Sequence, residues 1–330
     1  MPNFYPVNVL KTLDAGAPFS GVFILKKCAV KTAKNGSSFY SLELGDKTGS
    51  FSCNVFSDNL IGNVLRSISE GAIVRASGKV DFYQGRFSPK PDSLEEVSAE
   101  IVERDGLAEA LVESSPEDFD GLCEELNAHI EAISHAGLRA VTRSAIEEIY
   151  GIFVNSSAAI SMHHAYRHGL LEHSCHLARA ARALLPLYPQ VDPSLAIAGA
   201  LLHDIGKTVE YTQGLSTRKT RAGILQGHVV LGYRIVRKHG LKNHLPEALL
   251  ERLEHIVLSH QGELEWGAAA LAATPEAVFV SLVDNLDAKL GMVQNALRNA
   301  VPGGEEFSEF LPGLKTSLLL TPPYGDSAEQ

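Results

Sequence analysis

A run of apolar residues, Ala196 to Leu202, passes straight into His203 and Asp204, then Ile205, Gly206 and Lys207. A stretch that dry reads as a buried helix, and the rest of the chain has to supply its cover. Such a helix should not end in two polar side chains unless something compensates them. A divalent cation is the natural compensator, since imidazole nitrogen and carboxylate oxygen together suit Mn, Fe, Co, Zn or Mg. The competing reading is an ordinary helix end with a surface Asp and a hydrogen-bonded His. One such pair does not decide between the two.

At 330 residues the chain has room for about two domains of roughly 150 residues each. Its 45% hydrophobic and 21% charged content is that of a globular protein. No run approaches the roughly 18 apolar residues of a membrane span. Met1 to Leu10 lacks the basic start and apolar centre of a signal peptide. A cytoplasmic protein with no membrane contact is therefore expected. Cys28, Cys53, Cys123 and Cys175 show no CxxC spacing, which argues against disulfides. The net charge of −10 argues against indiscriminate coating of nucleic acid. It is unevenly spread: residues 1–94 carry 11 Lys/Arg against 7 Asp/Glu, the remainder 18 against 32. The first part should attract an anion, while the second gathers carboxylates and cations.

Residues 18–98 read as strands punctuated by Asn35-Gly36, Asp46-Lys47-Thr48-Gly49 and Gln84-Gly85. Between the third and fourth strands, Leu60, Val64 and Ile68 recur at every fourth position, which predicts a short amphipathic helix. Three strands, a helix and two strands is the order of a five-stranded OB-fold β-barrel. Alternation puts Tyr40, Leu42, Leu44, Phe51, Cys53, Val55, Val74, Ala76, Val80 and Phe82 on one face. Phe39, Phe56, Arg75, Lys79 and Tyr83 fall on the other. Aromatics among cations suit a single strand of nucleic acid, rings for bases and cations for phosphates. The same aromatics could instead close the barrel ends.

An acidic linker follows, and Ser115-Pro116-Glu117-Asp118 looks like a helix start. From there the pattern is helical, with helices expected over 116–134, 137–151, 170–185, 193–205, 228–239, 246–260 and 275–298. The tail beyond Pro302 should be irregular. Histidines cluster at 163, 164, 168, 173 and 176. After them come His203-Asp204, Gly227-His228, His255 to His260, and Asp284 within an apolar helix.

The series His173, His203-Asp204, His228, His260, Asp284 resembles the HD-domain metal-dependent phosphohydrolases. With the phrases GLLEH, LLHDIGK, LSHQGELEWG and VDNLDAKL behind an OB-like domain, the chain resembles the YhaM-type 3′→5′ exoribonucleases from about residue 15 to about 298. The resemblance implies that His173, His203, Asp204 and Asp284 hold one ion, and that Asp204 bridges to a second completed by His228 and His260. Two-metal phosphoryl chemistry uses ions roughly 3.5–4 Å apart. The mixed nitrogen and oxygen donors favour Mn, with Co, Fe or Mg as substitutes. Relatives that hydrolyse cyclic dinucleotides carry a second His directly after the position of His260. Here Gln261 stands there, which weakens a third-metal site.

The expectation is an α+β protein of two domains. Residues 1–100 form the nucleic-acid-binding OB-fold, 101–118 a linker, 119–300 an all-α HD domain, and 301–330 a tail. Its activity is that of a metal-dependent 3′→5′ exoribonuclease on single-stranded RNA, or DNA, releasing nucleoside 5′-monophosphates through a metal-activated hydroxide. Asp204 and Lys207 are the catalytic residues, Lys207 through its charge beside the phosphate. His163, His164 and His168 are candidate substrate contacts, as are Phe39, Phe56, Arg75, Lys79 and Tyr83. The alternative is an HD-type nucleotide or cyclic-nucleotide phosphohydrolase whose OB domain binds a partner. A homo-oligomer is compatible with either. Trp266 either packs under the metal site or stacks a terminal base, the core being the expected place, and His129, His135, His239 and His244 are expected at the surface.

Overall fold

The computed structural model describes residues 5–33, 36–57, 59–83, 85–159, 166–298, 300 and 304–321. The chain divides into two compact units. One comprises Met1–Ser114 with Gln213–Thr217, the other Ser115–Thr212 with Arg218–Gln330.

In chain order the first unit holds α1 (Val7–Leu10), β1 (Pro18–Thr32), β2 (Ser38–Asp46), β3 (Gly49–Phe56) and α2 (Leu60–Leu65). It continues with β4 (Ile73–Lys79), β5 (Phe82–Tyr83), β6 (Arg86–Phe87), β7 (Lys90–Glu96), α3 (Ala99–Arg104) and α4 (Ala108–Leu111). Five strands make one antiparallel sheet in the order β3-β2-β1-β4-β7, and β7 comes back against β3. The long β1 serves both halves: Pro18–Ile24 pairs with β4 and Ile24–Thr32 with β2. An irregularity between Leu25 and Lys27 adds the twist this double duty needs. This is the OB-fold. Alternate residues point inward, and Phe51 packs edge-on against Phe19, Phe23 and Phe87. In the β2–β3 turn the buried Asp46 accepts hydrogen bonds from the Thr48 amide (2.7 Å), the Thr48 hydroxyl (2.6 Å) and the Val7 amide (2.8 Å), tying α1 to the barrel.

Two expectations for this unit are corrected. In α2 the buried face is Ile61 and Leu65, continued by Ile68, while Leu60 is 84% exposed. Leu60 opens the helix one residue, about 100°, before Ile61 and so lies off the face that Ile61 and Leu65 share. Phe82 is exposed, because β5 (Phe82–Tyr83) pairs with β6 (Arg86–Phe87) in a small separate sheet outside the main one.

The second unit is helical: α5 (Phe119–Glu131), α6 (Ala136–Glu148), α7 (Tyr150–Asn155), α8 (Gly169–Leu184), α9 (Pro193–Leu202), α10 (Lys207–Glu210), α11 (Arg221–Lys242), α12 (Glu247–Ser259) and α13 (Pro275–Arg298). α9 is buried from Ser194 to Leu202 and packs against α5, α6, α8, α12 and α13. Asp192 caps it by accepting from the Leu195 amide, with Pro193 in the first turn. α9 ends at Leu202, so His203 to Gly206 form a turn rather than more helix. α5 starts at Phe119 behind an Asp118 cap, three residues later than Ser115 suggests. α11 starts at Arg221 but is interrupted at Gly227 (φ 68°, ψ 160°), directly before His228. The tail carries two antiparallel bridges, Phe307 to Leu319 and Leu311 to Thr316. Among the described residues no helix is long and apolar enough to cross a membrane.

Candidate metal centre

Each polar residue of interest stands where a helix ends, breaks or turns its inner face. His173 lies in the second turn of α8, His203 and Asp204 follow α9, and Lys207 opens α10. His228 follows the break at Gly227, His260 caps α12, and Asp284 and Asp287 share α13. The break matters: with φ positive at Gly227, the chain redirects His228 without ending α11. Gly206 lets α11 come in close, since a β-carbon there would stand 2.0 Å from the His228 carbonyl oxygen and 2.4 Å from the Gly232 nitrogen.

These elements bring six side chains together around Asp204, which is 3% exposed. On one side Asp204 Oδ2 lies 3.5 Å from His173 Nε2 and 3.3 Å from His203 Nε2. Those two nitrogens are 3.1 Å apart, and Asp284 Oδ1 is 3.2 Å from His173 Nε2. On the other side Asp204 Oδ1 lies 3.5 Å from Nε2 of both His228 and His260. Lys207 Nζ donates to Asp204 Oδ2 at 2.5 Å.

The outer nitrogen of every ring is anchored. Nδ1 of His173 donates to Asp287 Oδ2 (2.7 Å), that of His203 to the Ala200 carbonyl (2.9 Å), that of His228 to Glu210 Oε2 (2.8 Å) and that of His260 to the Val257 carbonyl (2.7 Å). Carbonyls and carboxylates only accept, so each Nδ1 carries the hydrogen and each Nε2 turns a lone pair inward. Lone pairs on His173 and His203 that face one another at 3.1 Å repel unless a cation or proton lies between them. Asp204 Oδ1 is buried without a hydrogen bond, a costly state unless an ion takes it up. The donor set therefore fits divalent cations on both faces of Asp204.

Charge follows the same geometry. Burial pulls the His173 imidazole down, but Asp284 and Asp287 outweigh it and push it up to about 10. In the ion-free protein, then, a proton on His173 does what a cation would do. Burial works against ionisation of Asp284, yet His173 and His203 bring it down to about 2. Asp204 is held well below the carboxylate range by Lys207 and His203 against the same burial. Burial dominates at His228 and keeps it below the usual imidazole range despite Glu210.

His168 is not brought to the cluster. It sits in the left-handed conformation before α8 (φ 68°), its Nδ1 donates to the Val154 carbonyl (2.6 Å), and its ring lies 4.4 Å from that of Phe119. His163 and His164 lie outside the described residues. Trp266 is not core: it is 55% exposed and lines the same cavity of about 490 Å³ as Asp204. His129 and His239 are buried rather than superficial, tied to Glu125 and to the Ser144 hydroxyl. One residue that the sequence reading left aside, Glu210, supports the cluster. The buried Glu210 holds His228 and is paired with Lys219. Gln261 donates its amide to Nε2 of His228 (3.0 Å) and of His260 (3.2 Å), the lone pairs that face Asp204 Oδ1, so an ion on that side has to displace it. Asp287, expected from the sequence to form with Lys289 an exposed pair or one that supports the ligands, holds His173 Nδ1; Glu210 carries no comparable signal in the sequence.

In the OB unit the candidate contacts do not form one platform. Phe39 and Phe56 are direct cross-strand partners. Arg75 is committed to Glu95 (2.7 Å). Along β1, Phe39 pairs at Lys31 and Arg75 at Val22, on the order of 30 Å of strand at ~3.3 Å per residue. Lys79 is farther still, opposite Pro18. Tyr83, 68% exposed, instead lines a cavity of about 640 Å³ with Lys11, Ser50, Arg86 and Phe87.

Comparison with known proteins gives two family matches, an HD domain over residues 170–289 and an OB-fold nucleic acid binding domain over residues 26–97. The chain is 31% identical over 305 residues to the 3′-5′ exoribonuclease YhaM of Listeria innocua, covering 92% of this chain and 95% of that one. It is 30% identical over 310 residues to the protein of the same name from Shouchella clausii, with 94% and 95% covered. For the one from Halalkalibacterium halodurans the identity is 28% over 311 residues, again with 94% and 95% covered.

Proposed function

The chain belongs to the family of YhaM-type 3′-5′ exoribonucleases, and on that premise we propose that it shortens single-stranded RNA from the 3′ end, releasing nucleoside 5′-monophosphates. The observation that carries this reading is the double-faced Asp204, each of whose oxygens confronts a pair of inward imidazole nitrogens. His173, His203, Asp204 and Asp284 would hold one ion, and Asp204, His228 and His260 the other. Mn is the best match to four nitrogens and two carboxylates. When bound, such ions polarise the phosphoryl group and acidify water.

The chain's own residues do the rest. With an ion on each oxygen, Asp204 would serve as ligand rather than base. The Lys207 ammonium, held beside Asp204 and only partly exposed, places fixed positive charge where the phosphoryl oxygens gain negative charge. Asp287 and Glu210 set the orientation of His173 and His228. The OB unit holds the strand, with Tyr83, Lys11 and Arg86 better disposed for this than the dispersed Phe39, Phe56, Arg75 and Lys79.

The test is a 5′-labelled oligoribonucleotide incubated with Mn²⁺ or with EDTA. A ladder shortened from the 3′ end appears only with Mn²⁺. Asp204→Ala removes it by a factor of about a thousand or more, since both ion sites lose their common ligand. No shortening in Mn²⁺, or faster turnover of mononucleotides and cyclic dinucleotides than of the oligomer, rejects the reading.

A further inference from the structure

The cavity over the metal centre has a rim of different character from its floor. The floor is carboxylate and imidazole. The rim carries Trp266, Lys289 of α13, and Lys315 of the C-terminal segment. Lys207 spends its charge on Asp204, whereas Lys289 and Lys315 make no ion pair among the described residues. From residue 115 onward acidic residues outnumber basic ones 25 to 17, so an approaching polyanion is repelled by most of this unit. Lys289 and Lys315, without an ion pair among the described residues, place two positive charges at the mouth of the cavity.

Lys315 is also built into place. The segment folds back on itself: the Ser308 amide donates to the Leu318 carbonyl (2.8 Å), Leu320 to Glu306 (2.9 Å) and Leu311 to Thr316 (2.9 Å). At the tip Lys315 takes a left-handed backbone (φ 57°) and its amide donates to the Pro312 carbonyl (3.2 Å). A side chain in that conformation is unfavourable and persists where surroundings impose it, often at a binding site. The tip lies against α13 so closely that a β-carbon on Gly313 would stand 2.5 Å from the Met292 sulfur.

We propose that this rim is the subsite for the 3′ end of the RNA strand: the Trp266 indole stacks on the terminal base, and Lys289 and Lys315 hold the phosphate next upstream of the scissile one. The assignment rests on the exoribonuclease reading above. The scissile phosphate belongs to the cluster and Lys207, and a 3′-terminal nucleotide carries no phosphate beyond it. The next anionic group available to rim lysines is therefore upstream.

Trp266 is the sole tryptophan of the chain, so tryptophan emission reports this position alone. Ion-free full-length protein in EDTA is titrated with a single-stranded oligoribonucleotide, while the anisotropy of an end-labelled copy records binding anywhere on the protein. Emission is expected to be quenched in step with anisotropy. Trp266→Ala weakens binding about tenfold, and Lys315→Ala or Lys289→Ala each flatten the logarithmic salt dependence by about 0.7. With Mn²⁺ present, Lys315→Ala lowers the preference for a trinucleotide over a dinucleotide, which has only the scissile phosphate, by about tenfold. Binding without any change in emission, or an unaltered salt slope and tri-to-dinucleotide ratio, overturns the proposal. Failure of the wild type to cleave any oligomer rejects the exoribonuclease reading instead, and the emission titration still tests the subsite.

Discussion

Asp287→Asn probes the metal centre without touching a proposed ligand. Asp287 Oδ2 accepts from His173 Nδ1 at 2.7 Å, and its Oδ1 lies 3.4 Å from His176 Nδ1. The amide keeps the shape but loses the charge that orients His173 and makes its Nε2 a stronger donor. Loss of such a partner costs about 10–100-fold in metal affinity, or about 1.4–2.7 kcal/mol at 1.36 kcal/mol per decade. A second effect runs the other way. In the ion-free wild type, Asp284 and Asp287 raise His173 to about 10 against the pull of burial, so near neutral pH an incoming cation must displace its proton. Removing the Asp287 charge lowers His173 and eases that competition. The variant's deficit should therefore be small near neutral pH and widen as pH rises toward about 10, because above the variant's lowered value only the wild type still gains affinity by losing its proton. Calorimetric titration of Mn²⁺ in buffers of different ionisation enthalpy reads both quantities, with fewer protons released per ion in the variant. Equal affinity and equal proton release across that range would show that Asp287 does not orient a metal-binding His173, and the assignment of the first ion site would fall.

Gly206→Ala should lower the melting temperature and weaken the second ion together. The added carbon meets backbone atoms of His228 and Gly232, and forcing α11 outward costs about 1–3 kcal/mol or more. Calorimetry with metal analysis checks this, and a wild-type melt with full metal content would refute the packing argument. In EDTA, stability should decline as pH rises above neutral. His173 is raised to about 10 and His176 to about 9, the latter chiefly by its hydrogen bond to Asp287. Groups raised on folding contribute fully below their unfolded value of about 6.5 and lose that contribution as pH rises through the folded one. Saturating Mn²⁺ should flatten the profile, because the ion replaces the proton on His173. Parallel melts in EDTA and Mn²⁺ decide it, and a flat EDTA profile would refute the charge assignment.

What could be read from the residues was the chemistry that burial makes expensive. A helix apolar all round must be central, and α9 is covered on every side by five others. A His-Asp pair closing such a helix needs compensation, which directs attention to the other imidazoles and carboxylates that the topology brings to the same end. What sets their orientation was not readable. The partners of His203 and His260 are backbone carbonyls of Ala200 and Val257, and every residue type offers those. Glu210 is one acid among many until the fold buries it against His228. Alternation assigns a strand residue to a face but not to a place along the strand, so Phe39 and Arg75 were grouped although β1 separates their positions. Trp266 lies in a single 3₁₀ turn and Lys315 at the tip of a short folded-back segment, too brief for any periodicity to register. Periodic elements advertise their burial because repetition encodes it. Residues at breaks, caps and turns acquire their surroundings only from long-range packing, and those are the residues that surround Asp204.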